Sequence, residues 1–161
     1  MSRKNVRATL AEFIAPPAVE GLSQVFTSVP KTAFYETNSL PSDVSRCLAV
    51  IYIESERENR LAIGGAHSGI KRVDYQVAIQ LHFRSTQRKG EDAMDDFDAV
   101  VDNLKDKLRS DHQFGDTTGY LVWQGAEPVI DASYGDPVMI NAATVEIWAT
   151  LRFDVTEMIQ A

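Results

Sequence analysis

The residues with the most suggestive spacing are Gly64-Gly65-Ala66-His67-Ser68-Gly69-Ile70. A phosphate-cradling loop needs glycines that let backbone N–H groups close around the phosphates, a lysine that reaches them, and a helix that follows. Here Ile70 stands where the lysine is required, and the pattern after it is that of a strand. Nucleotide binding is therefore not expected, and Gly64 and Gly65 read as a turn or hinge.

Carboxylates offer the next chemistry. Asp95, Asp98, Asp102 and Asp106 are spaced three, four and four, which puts them in one line on a helix opposite its apolar stripe. Hard cations need oxygen ligands converging on a point, whereas a helix face spreads them along its length, so the line reads as a solvated or contact surface. Glu54-Ser55-Glu56-Arg57 at the end of an apolar strand invites comparison with metal-dependent nucleases, but the lysine that such sites place beside the second carboxylate is missing. Together with the aspartate line, Glu54 and Glu56 define a competing hypothesis, a small metal-dependent hydrolase. His67, His82 and His112 fall in three different elements without the spacing of a helical zinc pair, and no Gly-x-Ser-x-Gly elbow occurs. No catalytic, cofactor or metal site is expected, and the chain is read as a binding protein, not an enzyme.

What remains distinctive is a set of cations. Arg57, Arg60, Lys71 and Arg72 surround the Gly64-Gly65 turn in a chain whose formal net charge is −7. Opposite-charge docking onto a neighbouring subunit is their expected use. Trp148 joins them as a candidate contact: it sits among Glu146, Thr150, Arg152 and Asp154, on the polar side of its strand. Either a partner or a loop of the same chain covers it.

The elements that position these residues follow from periodicity. Val6, Leu10, Phe13 and Ile14 make the stripe of a helix over residues 3 to 14, which Pro16-Pro17 must end. Its first turn carries Arg3, Lys4 and Arg7, the wrong charge for a helix N-terminus, which reads as a solvated basic end or a contact with an acidic partner. Residues 28 to 46 read as a long loop, a candidate partner contact. Cys47 to Ile53 is apolar on both parities, as in a central strand, and the charged run Glu54 to Arg60 reads as its connection onward. From Val73, the residues Val73, Tyr75, Val77, Ile79, Leu81 and Phe83 alternate with polar ones, giving one core face. A second helix presents Ala93, Met94, Phe97, Val100, Val101, Leu104 and Leu108 to that core. Strands are predicted at 120 to 124 and at 145 to 155, separated by a second long loop in which Val129-Ile130 and Val138 to Ile140 are possible edge strands.

Strands in a row around a single intervening helix predict an α+β fold: a mostly antiparallel mixed sheet with two helices packed on one face. The 161 residues fit one domain, with 44% hydrophobic and 24% charged residues as in ordinary globular proteins. No apolar run reaches the ~18 to 20 residues that span a bilayer, and the single cysteine, Cys47, has no disulfide partner; synthesis in a reducing cytoplasm and no membrane contact are expected. The acidic balance disfavours a dedicated nucleic-acid binder but suits a surface that must repel DNA passing near it.

The text Leu61-Ala62-Ile63-Gly64-Gly65-Ala66-His67-Ser68-Gly69-Ile70-Lys71-Arg72-Val73-Asp74-Tyr75, followed by Leu81 to Gln87, resembles the tail terminator proteins of long-tailed bacteriophages, especially those of actinobacteria. The likeness continues through the helix beginning at Asp95 and through Ile147 to Phe153 and Thr156 to Ile159; residues 28 to 46 and 125 to 144 are not matched. The resemblance implies a virion subunit of the neck that forms a homo-oligomeric ring, six-membered, on the head-proximal end of the tail tube. Such a ring halts tube growth and docks the head connector, while DNA passes through it without specific binding. A neighbouring neck or tail-completion protein of similar fold fits the same text. No functional residue of the family transfers individually.

Overall fold

The computed structural model describes residues 3–29, 46–61, 69–85, 90–118, 120–141 and 144–160. Helix α1 (Arg3–Ile14) buries Val6, Leu10 and Ile14, one residue per turn, and gives way at Ala15 before Pro16-Pro17. Phe13 lies at the margin of that stripe, edge-on to Phe114 with ring centroids 5.9 Å apart. Strand β1 (Gln24–Phe26) then pairs in parallel with β2 (Arg46–Arg60), the one parallel pairing among the described strands.

Three long strands make the body of the sheet: β2, β3 (Ile70–Ser85) and β7 (Thr144–Gln160), each antiparallel to the next. The register threads rows across all three, such as Ile51–Ile79–Leu151, so that odd-numbered residues of this region share a face. Helix α2 (Gly90–Arg109) packs Ala93, Phe97, Val100, Val101, Leu104 and Leu108 onto that face, and α1 packs beside it in the same core. Its first turn carries Glu91 and Asp92 and its last turn Lys107 and Arg109, a charge order that complements the helix dipole. The free edge of β7 is covered in tandem by three short strands, β6 (Val138–Asn141), β5 (Asp131–Tyr134) and β4 (Leu121–Trp123). The fold is α+β: a mostly antiparallel mixed sheet with both helices on one side.

Several expectations change. Glu54 to Arg60 is no connection but the second half of β2, because its backbone continues the ladder with β3 whatever its side chains are. The last strand runs on to Gln160, and the stretch between residues 125 and 144, expected as a loop, contributes β5 and β6 to the edge of β7. Val129-Ile130 lies just ahead of β5 and is not itself strand. Of the loop expected at 28 to 46, residues 30–45 lie outside the described residues, as does the Gly64-Gly65 turn. Cys47 to Ile51 is fully buried on both parities, as the apolar run required.

Candidate subunit interface

The four cations of the sequence reading sit on the hairpin formed by β2 and β3, and a bulge decides how they are displayed. Ile53 pairs with Val77 but Ser55 pairs with Gln76, so Glu54 is an extra residue and the parity of β2 reverses beyond it. Arg57 stands opposite Asp74 and Asn59 opposite Arg72, on the face away from the helices; Arg60 stands opposite Lys71, on the helix side. What reads as one cationic cluster along the chain is thus divided between two faces.

Half of that charge is answered locally. Lys71 Nζ lies 3.1 Å from Glu58, and Arg72 Nε donates to Asp74 Oδ1 at 2.8 Å. Asp74 Oδ1 also accepts from the Thr156 hydroxyl at 2.7 Å, which ties the hairpin to β7. Among the described residues, neither Arg57 nor Arg60 has an acidic partner within ion-pair distance, and both are exposed. Gly64 and Gly65 lie outside the described residues. At the tip the Leu61 N–H donates to the Ile70 carbonyl at 2.9 Å, so the two strands stay joined up to the turn.

The carboxylates that suggested a metal site have other occupations. Glu54, the bulge residue, accepts from Arg152 Nε at 3.1 Å; Ala78 is the β3 residue opposite Arg152, and its small side chain leaves room for the guanidinium to cross the strand. Arg152 also donates to the Ser133 hydroxyl on β5 at 3.3 Å. Glu56 pairs with Arg3 at 3.3 Å, and Arg3 further donates to the Ile53 carbonyl at 3.2 Å, while Arg7 donates to the Thr27 carbonyl at 2.6 Å. The basic first turn of α1 therefore meets an acidic partner within the same chain, and it blunts the open edge of β2 where the bulge begins. Asp95, Asp98, Asp102 and Asp106 are all exposed along α2, in the line their spacing implied.

Trp148 is half-buried, and its cover comes from this chain. The Gly135 N–H donates to the Trp148 carbonyl at 2.9 Å, and the indole lies so close to Gly135 that a β-carbon there would collide with it. Glycine between β5 and β6 is what lets the backbone cross the ring. Of the two explanations for this tryptophan, coverage by its own chain is the one observed.

At the opposite end of the sheet from the hairpin tip, α2 and β5 enclose a groove of about 400 Å³ lined by Met94, Asp98, Asp102, Tyr134, Gly135 and Ile147. Lys105 on α2 lies 3.5 Å from Asp102 and 3.5 Å from the Tyr134 hydroxyl, two of the lining residues. Sequence reasoning missed this groove because nothing in a linear pattern pairs residue 98 with residue 134.

Two buried polar sites also escaped the sequence reading. Tyr75 donates its hydroxyl to Glu157 Oε2 at 3.0 Å within the core-side face, and burial followed by the charge of Glu157 pushes the Tyr75 phenol well above its ordinary range. The signal was present, since Glu157 shares the parity of Val155 and Ile159. Asp116, after α2, is pushed up by burial but more strongly down by the Thr118 hydroxyl and the N–H groups of Leu121, Thr118 and Tyr120, and ends lowered. It organises the turn into β4. Both make their hydrogen bonds within the chain, Tyr75 joining β3 to β7 and Asp116 closing the turn into β4, and both are read as structural.

No family model matches the chain, and no curated protein matches it.

Proposed function

We propose that this chain is a structural subunit of a long-tailed phage virion, forming a ring, six-membered by the resemblance, on the head-proximal end of the tail tube. The ring stops tube growth and presents a docking surface to the head connector; no catalytic step is assigned to it. The reading rests on the resemblance of the Leu61–Tyr75 segment and of the closing strand. One structural observation supports it above the others: three strands of 15, 16 and 17 residues make a rigid plank whose two ends differ in chemistry. A tube grows by one repeated head-to-tail contact and has no intrinsic length, so a terminator must offer one copy of that contact and a different surface beyond it. Residues 125 to 144, which carry exposed Val129, Tyr134, Val138 and Met139, are the candidate for the dissimilar contact, together with residues 28 to 46. A net charge of −7 suits a lumen that DNA traverses without sticking.

A neighbouring neck or tail-completion subunit shares these requirements and differs in its partner. The test adds the protein to polymerising tube protein of the same virion and images the products by electron microscopy. Short tubes ending in an extra ring support termination; tubes of unregulated length without a bound ring exclude it, and binding to isolated connector alone assigns the chain to the neighbouring position.

A further inference from the structure

Strand β2 has an open edge over the last part of its length. On the side away from β3, β1 pairs with it only as far as Val50, and Arg3 closes the edge at the Ile53 carbonyl and at the Glu56 side chain. From Glu56 to Arg60 every residue except the partly buried Asn59 is exposed. The Leu61 N–H donates to the Ile70 carbonyl, and residues of an antiparallel ladder alternate, so Asn59 and Arg57 also turn their backbone groups to β3. Glu56, Glu58 and Arg60 turn theirs outward. Those N–H and carbonyl groups have no backbone partner among the described residues, over a stretch of about 17 Å.

The side chains along this edge leave an unequal remainder of charge. Glu54 is held by Arg152, Glu56 by Arg3 and Glu58 by Lys71, so each carboxylate of the strand has a cation from elsewhere in the chain. Arg57 and Arg60 have no such answer among the described residues, and Asp74, which stands opposite Arg57, is already engaged by Arg72 and the Thr156 hydroxyl. The open edge is therefore cationic in a chain whose net charge is −7. Two copies of such an edge repel one another, which disfavours pairing of the strand with itself.

We propose that the Glu56–Arg60 edge of β2 receives an extended acidic segment of a partner protein, added to the sheet as a further strand. Unpaired N–H and carbonyl groups in alternation match a polypeptide main chain, whereas a nucleic acid or an anionic lipid would engage the arginines and leave that ladder unused. The bulge at Glu54 sets the signature of the segment. Arg57 points away from the helices and Arg60 toward them, so carboxylates that meet both must lie three residues apart in an extended strand, one on each face. Lys71 and Arg72 take no part, because Glu58 and Asp74 already hold them. The contact stands on the edge and its charges and does not need the ring reading.

The experiment measures binding of fluorescein-labelled synthetic peptides to the full chain by anisotropy. The probe is a short peptide of threonine and valine with two glutamates three residues apart. Saturable binding that weakens at high salt is expected. Lysines in place of the glutamates, or N-methylation of the peptide backbone at unchanged charge, should each weaken it at least tenfold. Arg57→Glu and Arg60→Glu should each do the same, and the chain carrying both should bind the lysine peptide instead. Glu58→Pro removes an outward N–H, a change that strand edges tolerate, and should abolish binding while both arginines remain. Arg109→Glu makes the same change in net charge at the exposed end of α2 and should leave binding unchanged. Circular dichroism melting of each variant separates lost binding from lost folding. Absence of binding, binding indifferent to N-methylation, a loss on Arg109→Glu equal to that on Arg57→Glu, or an oligonucleotide bound as tightly as the peptide overturns the proposal. Self-association that Glu58→Pro abolishes would give the edge to a second copy and overturn it as well.

Discussion

Tyr75 on β3 and Glu157 on β7 join their side chains across the core-side face, the tyrosine hydroxyl 3.0 Å from Oε2, and both residues are buried. They lie 82 positions apart in the chain and one row apart in the sheet, since Tyr75 pairs with Val155 and Glu157 with Val73. A carboxylate that close to an apolar core is tolerable only while donors face it, because a buried acceptor left unsatisfied loses its solvation without return.

Tyr75→Phe removes one donor and nothing else of the ring's volume. We expect it to destabilise the fold by about 1–3 kcal/mol, the cost of leaving a buried charged acceptor short of a hydrogen bond. Urea unfolding followed by far-ultraviolet circular dichroism measures it. Unchanged midpoints would mean that Glu157 draws no stability from the phenol.

Alkaline pH should also weaken the protein. Burial raises the Cys47 thiol to about 12, and burial together with Glu157 raises Tyr75. Both groups keep their protons in the folded state at pH values where the unfolded chain has lost them. Their contribution is therefore fully present below about pH 8.5 for the thiol and about pH 10 for the phenol, and it is lost as pH climbs from there toward the folded values. Melting temperature should fall across that window, and less steeply in Cys47→Ala. At pH 8 the thiol should react with a disulfide reagent only as fast as the protein opens; rapid stoichiometric labelling of the folded chain contradicts its burial.

Gly135→Ala drives a β-carbon into the Trp148 indole. Overpacking of this kind costs about 1–3 kcal/mol. With Trp123 replaced by Phe so that a single tryptophan reports, the emission of Trp148 should shift to longer wavelength as the ring is displaced toward water. An unaltered spectrum with unaltered stability would show that the loop between β5 and β6 yields freely.

The elements were legible where a single physical rule decides them. Val6, Leu10 and Ile14 at helical spacing ahead of Pro16-Pro17, and Val73 to Phe83 at period two, specify a helix and a half-buried strand by which side chains must leave water, and the structure has both. Charge was legible as composition: the aspartate line of α2 lies exposed as its spacing requires.

Tertiary structure alone decided what the charged residues do. Glu54 to Arg60 carries no apolar signal, so only its ladder with β3 makes it strand, and only the extra residue at Glu54 sends Arg57 and Arg60 to opposite faces. The pairing of Glu54 with Arg152, of Glu56 with Arg3 and of Tyr75 with Glu157 joins positions 98, 53 and 82 apart. Local sequence sets the period of a segment through its own backbone geometry. Which distant side chain lies opposite is set by register, and register depends on bulges and on the packing of the whole sheet at once.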